Sequence, residues 1–342
     1  MLTYSIKKIY NPEIFQGHRK TSRYFEGWYF KLADRQTENV FAVIPGVSIS
    51  DIKNGSHSFI QVMDGINATS RYFRFDFKDF TYSTDRFNIS IGSNSFSDTN
   101  LKLNLKEGNE TYRADLEFSC PSKWPRTILS PGAMGWYAFV PFMECYHGVV
   151  SMNHAISGIA SFAGKTIDFS GGKGYIEKDW GQSFPQGWIW LQSNHFKNDM
   201  TSIMFSVARI PWKKKSFTGF ICGLLYNKKI LVFATYNGSK IKSLAHTPDS
   251  FKCIIENSKH RLSIEGSKQK GATLLSPVLG AMDGRINESI DAKVKISLEK
   301  KSVNKAGEKE TSVKLIYEDT GYCGGLEIAN PDVIDQSNIT VT

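Results

Sequence analysis

Apolar and polar residues alternate one by one in short runs along most of this chain. Tyr72-Phe73-Arg74-Phe75-Asp76-Phe77 is typical, and Leu101 to Leu105, Ala114 to Phe118, Ile203 to Ala208, Ile230 to Thr235 and Val294 to Leu298 repeat the pattern. A period of two puts alternate side chains on opposite faces of an extended backbone, so each run predicts a strand. Asn54-Gly55, Gly108-Asn109 and Asn237-Gly238 punctuate the runs as turn dipeptides do. Sustained i, i+3, i+4 spacing is nearly absent. The expectation is an all-β chain of barrels or sandwiches.

The two halves echo each other. Gly27-Trp28 followed by Phe30 returns as Gly187-Trp188 followed by Trp190. Thr127-Ile128-Leu129-Ser130-Pro131 returns as Thr273-Leu274-Leu275-Ser276-Pro277, and a Gly-Ala-Met triplet follows each. Each half then closes with a hairpin, over Ala155 to Phe169 and over Ala292 to Ile316, the second enlarged by a charged insert around Ser302 to Glu310. Echoes in conserved order with drifting loop lengths predict duplication. The seam falls near Gly174, giving domains 1–175 and 176–342.

Gly174 to Phe196 straddles that seam. It holds Glu177, Asp179, Trp180, Trp188 and Trp190. As a strand, the part after Gly187 places Trp188, Trp190, Gln192 and Asn194 on one face, with Ile189, Leu191 and Ser193 on the other. Indoles sharing a face with carboxamides suit a ligand pocket, because each buried amide needs partners; a packed core strand is the alternative. Glu177 and Asp179 also share a face, and two carboxylates that close resist ionising together.

Several motifs resemble the tocopherol cyclase family. They are Glu177-Lys178-Asp179-Trp180-Gly181, Phe184-Pro185, Trp188, and Trp190-Leu191-Gln192-Ser193-Asn194. Phe25-Glu26-Gly27-Trp28-Tyr29-Phe30-Lys31, Pro141-Phe142-Met143-Glu144 and Met152 to Gly158 agree with them. The resemblance covers nearly the whole chain. It departs at Asp179, where the plant members carry asparagine. It implies a pair of lipocalin-like antiparallel barrels and an acid-catalysed cyclisation that adds a phenol oxygen across a prenyl double bond.

That chemistry requires a carboxylic acid, aromatic faces to steady a passing cation, and a dry pocket. It requires no metal or redox cofactor, so none is expected. Asp179 is taken as proton donor with Glu177 as the rival, and His154 as the group that orients or deprotonates the phenol. Glu26, Trp28, Trp180, Trp188, Trp190, Gln192, Asn194 and Glu144 are the expected ligand-binding residues. A structural carboxylate and a core histidine are the plainer readings of the catalytic three. Capture of the cation by water would make a hydratase, and the same lining without turnover a carrier of an apolar ligand. Cys145 and His147 alternate onto one face near Glu144 and His154, but the tight paired spacing of zinc sites is missing.

Composition trims the alternatives. The five cysteines form no CxxC pair and read as reduced thiols of a cytoplasmic protein. The first residues hold no apolar segment like a signal sequence, and no apolar run reaches the ~18–20 residues of a membrane span. The net charge of +9 is scattered, without the basic stripe that nucleic-acid binding calls for. Trp212 beside Lys213-Lys214-Lys215 suits either a solvated hairpin loop or peripheral contact with an anionic membrane surface.

Overall fold

The computed structural model describes residues 4–51, 55–141, 143–212, 215–303 and 311–334. The alternating runs are strands, and the single α-helix among the described residues is the short Tyr4–Tyr10. No described helix is long and apolar enough to cross a membrane. The strands form two antiparallel sheets.

In the first sheet, Tyr24–Ala33 lies between Val40–Ile49 and Gly172–Gly181. Beyond Gly172–Gly181 come Cys145–Phe162 and then Glu110–Ser119. The second sheet repeats this connection. Trp188–Ser193, its first strand, lies between Ser202–Trp212 and the last strand, Thr311–Ala329. A first strand that pairs with both the next and the last lets a meander wrap round its own core. In the first unit Phe73, from one side of the sheet, meets Tyr112 from the other at 5.4 Å. In the second, Phe205 and Phe251 stack at 5.5 Å.

Two compact units result: Met1–Phe184 with Gly271–Ile290, and Pro185–Lys270 with Asp291–Thr342. The division therefore falls after Phe184 and not after residue 175. The physical reason is plain, since Gly172–Gly181 is hydrogen-bonded along both edges and a seam at 175 would cut it. The hairpin 271–290 also joins the first unit. There Gln61 exchanges hydrogen bonds with the Leu275 main chain, and Tyr29 Oη donates to Glu288 Oε1 at 2.5 Å.

The Gly-Trp echo holds for strand position and fails for side-chain direction. Trp28 is sealed in the first core, stacked on Phe87 at 5.8 Å. In the second unit Ile189 and Leu191 enter the core, so Trp188 lies on the opposite face and is half-buried. The Thr-Ile-Leu-Ser-Pro echo parts company too: Thr127 and Ser130 close an isolated turn, whereas Thr273 to Pro277 is strand. Strands Ala281–Val303 and Thr311–Ala329 form the enlarged hairpin, whose tip at 304–310 lies outside the described residues. Lys213 and Lys214 lie outside them as well.

Candidate functional site

Three neighbouring strands of the first sheet carry the site. The register pairs Gly27 and His147 with Asp179, and Tyr29 and Val149 with Glu177. One face of Gly172–Gly181 presents Tyr175, Glu177 and Asp179, and the other presents Ile176, Lys178 and Trp180. Gly181 ends the strand at φ +153°, where a Cβ would lie 2.2 Å from the Glu144 carbonyl. Glycine at this position lets the two backbones close, and the Glu144 carbonyl accepts the Gln182 N–H at 2.8 Å.

On the first of these faces the structure gathers an acid–imidazole cluster. His147 Nδ1 lies 2.9 Å from Asp179 Oδ1, and its Nε2 lies 3.6 Å from Glu177 Oε2. Tyr175 Oη donates to the same Glu177 oxygen at 2.5 Å. Glu177 is 4% exposed, while the Asp179 side chain keeps 25% of its surface. Cys145 Sγ stands 4.0 Å from Asp179 Oδ1, and burial pushes its thiol well above the usual range. Thus Asp179 and Glu177 come together as expected from the sequence. His147, weighed there only as a zinc ligand, is the residue that joins them. The one prior signal was its alternation with Cys145; its pairing with a strand 32 residues away was not visible.

His147, Glu177 and Asp179 offer ligand atoms all within 4.8 Å of one another, so among the described residues this trio could hold a metal ion. His147 Nδ1 already faces Asp179, and a metal there would have to replace that hydrogen bond.

His154 sits elsewhere. It is 2% exposed, packed on Phe118 at 4.6 Å, with its ring edge where a Gly174 Cβ would be. Ser151 Oγ donates to the Asn153 carbonyl, so His154 Nδ1–H donates to Ser151 at 3.1 Å. Nε2 is then a buried lone pair with no hydrogen-bond partner among the described residues. Burial pushes the imidazole down to about 3, which keeps it neutral.

The opposite face of the same strand is occupied by structure. Lys178 and Glu26 are fully buried and form an ion pair at 2.6 Å. Lys178 Nζ also donates to the carbonyls of Pro12 and Ile14, at 2.8 and 2.6 Å, and lies 4.8 Å from the ring centroids of both Trp28 and Trp180. Burial pushes its ammonium down to about 8, with Glu26 pulling the other way. Glu26 accepts the Gln16 and Gly17 N–H groups and the Tyr24 hydroxyl. Trp28 Nε1 donates to the Glu13 carbonyl at 2.9 Å. Glu26 and Trp28, expected at a ligand, are thus engaged in the first core.

Glu144 is half-buried. Its Oε2 has no hydrogen-bond partner among the described residues, and burial raises its carboxyl above the ordinary value. In the second unit Trp188 Nε1 donates to Glu327 Oε2 at 2.5 Å. Trp190, Gln192 and Asn194 are buried, and neither amide atom of Gln192 has a hydrogen-bond partner among the described residues.

The first unit contains a cavity of about 370 Å³. Trp180 and His147 line it, together with Tyr146, Met134, Phe139 and Met143. Trp188, Trp190 and Gln192 are not among its lining residues. Trp180 stacks on Tyr146 with centroids 5.4 Å apart and rings 8° from parallel.

Comparison with known proteins adds three findings. A family profile described as Tocopherol cyclase-like matches residues 102–330. The "Probable tocopherol cyclase, chloroplastic" of Oryza sativa subsp. japonica is 26% identical over 152 residues, 43% of this chain. The "Tocopherol cyclase, chloroplastic" of Zea mays is 24% identical over the same length. The chain matches 32% of the length of each of these relatives. Among solved structures, CghA with Sch210972 superposes with a TM-score of 0.53 at 8% identity, covering 90% of this chain and 88% of that one. That likeness is one of fold.

Proposed function

This chain belongs to the tocopherol cyclase-like family, and on that premise we propose that it closes a chromanol-type ring on a prenylated phenol or quinol. The observation that carries this reading is His147 held between Asp179 and Glu177. The reaction is an isomerisation. A proton from the cluster adds to the alkene, the tertiary cation accepts the phenol oxygen, and the phenolic proton returns to the cluster. Atoms and electrons balance without a redox partner. A relay of two carboxylates and an imidazole suits it, because one group must give a proton while another takes one. Asp179, the more open carboxyl of the pair, is the donor, and His147 takes the phenolic proton. Trp180 and Tyr146 line the cavity that His147 also lines, and there offer aromatic contact to the substrate ring.

The experiment is incubation with a panel of prenylated quinols in D₂O, with Asp179→Asn and Glu177→Gln in parallel. The expected product carries one solvent deuterium on carbon, and each substitution lowers the rate about 10²–10⁴-fold. Full turnover by both variants would transfer the donor role to Glu144, whose carboxyl is raised by burial. A saturated tertiary alcohol as product would identify a hydratase. Binding without turnover across the panel would identify a carrier.

A further inference from the structure

The cavity in the first unit has a composition that ring closure alone does not require. Its floor is the Trp180–Tyr146 stack, and Met134, Phe139 and Met143 make its walls apolar. Lys8 and Lys20 also line it. Among the described residues neither lysine has a carboxylate within salt-bridge reach. Lys8 Nζ donates to the Gln16 carbonyl at 2.6 Å, leaving two further N–H groups, and Lys20 Nζ stands 5.6 Å from the Tyr24 ring centroid.

The acid whose charge Lys8 feels is Glu26, already engaged by Lys178, two backbone N–H groups and a tyrosine hydroxyl. Burial pushes the Lys8 ammonium down. Glu26 opposes that push, and the positive charges of Lys20 and Arg19 add to it. Positive charge therefore gathers at the Lys8 and Lys20 end of a cavity whose other lining mixes apolar and aromatic side chains with Gln16, Gln182 and His147. Such a site gains most from a ligand that brings an anion to that end.

We propose that the cavity binds a phenol whose ring carries a carboxylate, with the ring on Trp180 and Tyr146 and the carboxylate at Lys8 and Lys20. This rests on the reading of the chain as acting on a prenylated phenol, and it names the class: a prenylated hydroxybenzoate. The volume lies within the usual range for a small-molecule site, about 300–1,000 Å³. His147 lines the same cavity and joins its wall to the acid cluster.

The test is direct binding, by calorimetry and by quenching of tryptophan emission, of 3-prenyl-4-hydroxybenzoate against its methyl ester. The acid is expected to bind about tenfold tighter, the weight of one charge-assisted contact. Lys20→Met, at an exposed position, should erase most of that difference without disturbing the fold. Lys8→Met should do the same and Lys8→Arg should keep the difference, which separates charge from packing. Equal binding of acid and ester overturns the inference, as does a preference that survives the Lys8→Met/Lys20→Met double substitution. Acid preference without ring closure by any phenol would keep the cavity assignment and refute the cyclase. Ring closure on neutral phenols without acid preference would do the reverse.

Discussion

On one face of the strand Gly172–Gly181, Lys178 is wholly buried and every direction around it is filled: Glu26, two carbonyls and two indoles. On the other, one residue away in sequence, Asp179 keeps a quarter of its side chain exposed and meets an imidazole. Both faces carry charge within the three residues Glu177 to Asp179. The first encloses the charge completely, and the second leaves the Asp179 carboxylate partly open. Strand alternation makes this division of labour possible, since neighbours in sequence never share an environment. The Glu-Lys-Asp-Trp-Gly motif is thus two interleaved motifs.

The sharpest way to break the comparison is to neutralise one charge on each face. Asp179→Asn should reduce turnover by about 10²–10⁴-fold, measured as deuterium incorporation, while shifting the urea midpoint little. Lys178→Met should do the opposite. Leaving Glu26 buried without its partner should cost about 3–5 kcal/mol of stability in urea unfolding, and Glu26→Gln in the same chain should restore part of it. If Asp179→Asn unfolds the protein and Lys178→Met does not, the assignment of the two faces is reversed.

A smaller effect should come from His154, which shares the sheet but not the cluster. Its imidazole lies near 3 in the folded state against an ordinary value of 6.5. Between those values the unfolded chain binds the extra proton and the folded one does not. Its contribution to stability is therefore complete above about pH 6.5 and is lost as pH falls toward 3, by up to about 1.4 kcal/mol per unit. His154→Gln should flatten that part of the stability profile; an unchanged slope would show that another group titrates there. Smallest is Gly174→Ala. The new methyl would lie 2.1 Å from the His154 ring, which Phe118 and Ser151 hold in place. A loss of about 1–3 kcal/mol is expected, with ring-closure rates kept.

Much of the fold was legible from the alternation, because a strand with one buried face writes its burial into every second residue. Glu110–Ser119 does this cleanly. Tyr24–Ala33 does not, since it is buried on both faces, and there alternation cannot distinguish core from outer face. That is why Trp28 and Trp188 looked equivalent although one enters its core and the other does not. The carboxylate pair was legible for a local reason, two residues apart on one strand. His147 was not, because register between distant strands is a tertiary fact. Lys178 was the least legible. A lysine reads as solvated until its carbonyl partners at Pro12 and Ile14 are known.

The grip of Lys178 on those two carbonyls also orders events in time. A ribosome delivers Pro12 and Ile14 long before Lys178, which follows 166 and 164 positions later. Until then the carbonyls of Pro12 and Ile14 lack their lysine donor, and the cavity lacks Trp180. Loops of that length close slowly. The cavity is consequently completed late in the synthesis of residues 1–184, and a nascent chain halted before residue 178 would lack the ammonium that sits 4.8 Å from the Trp28 ring.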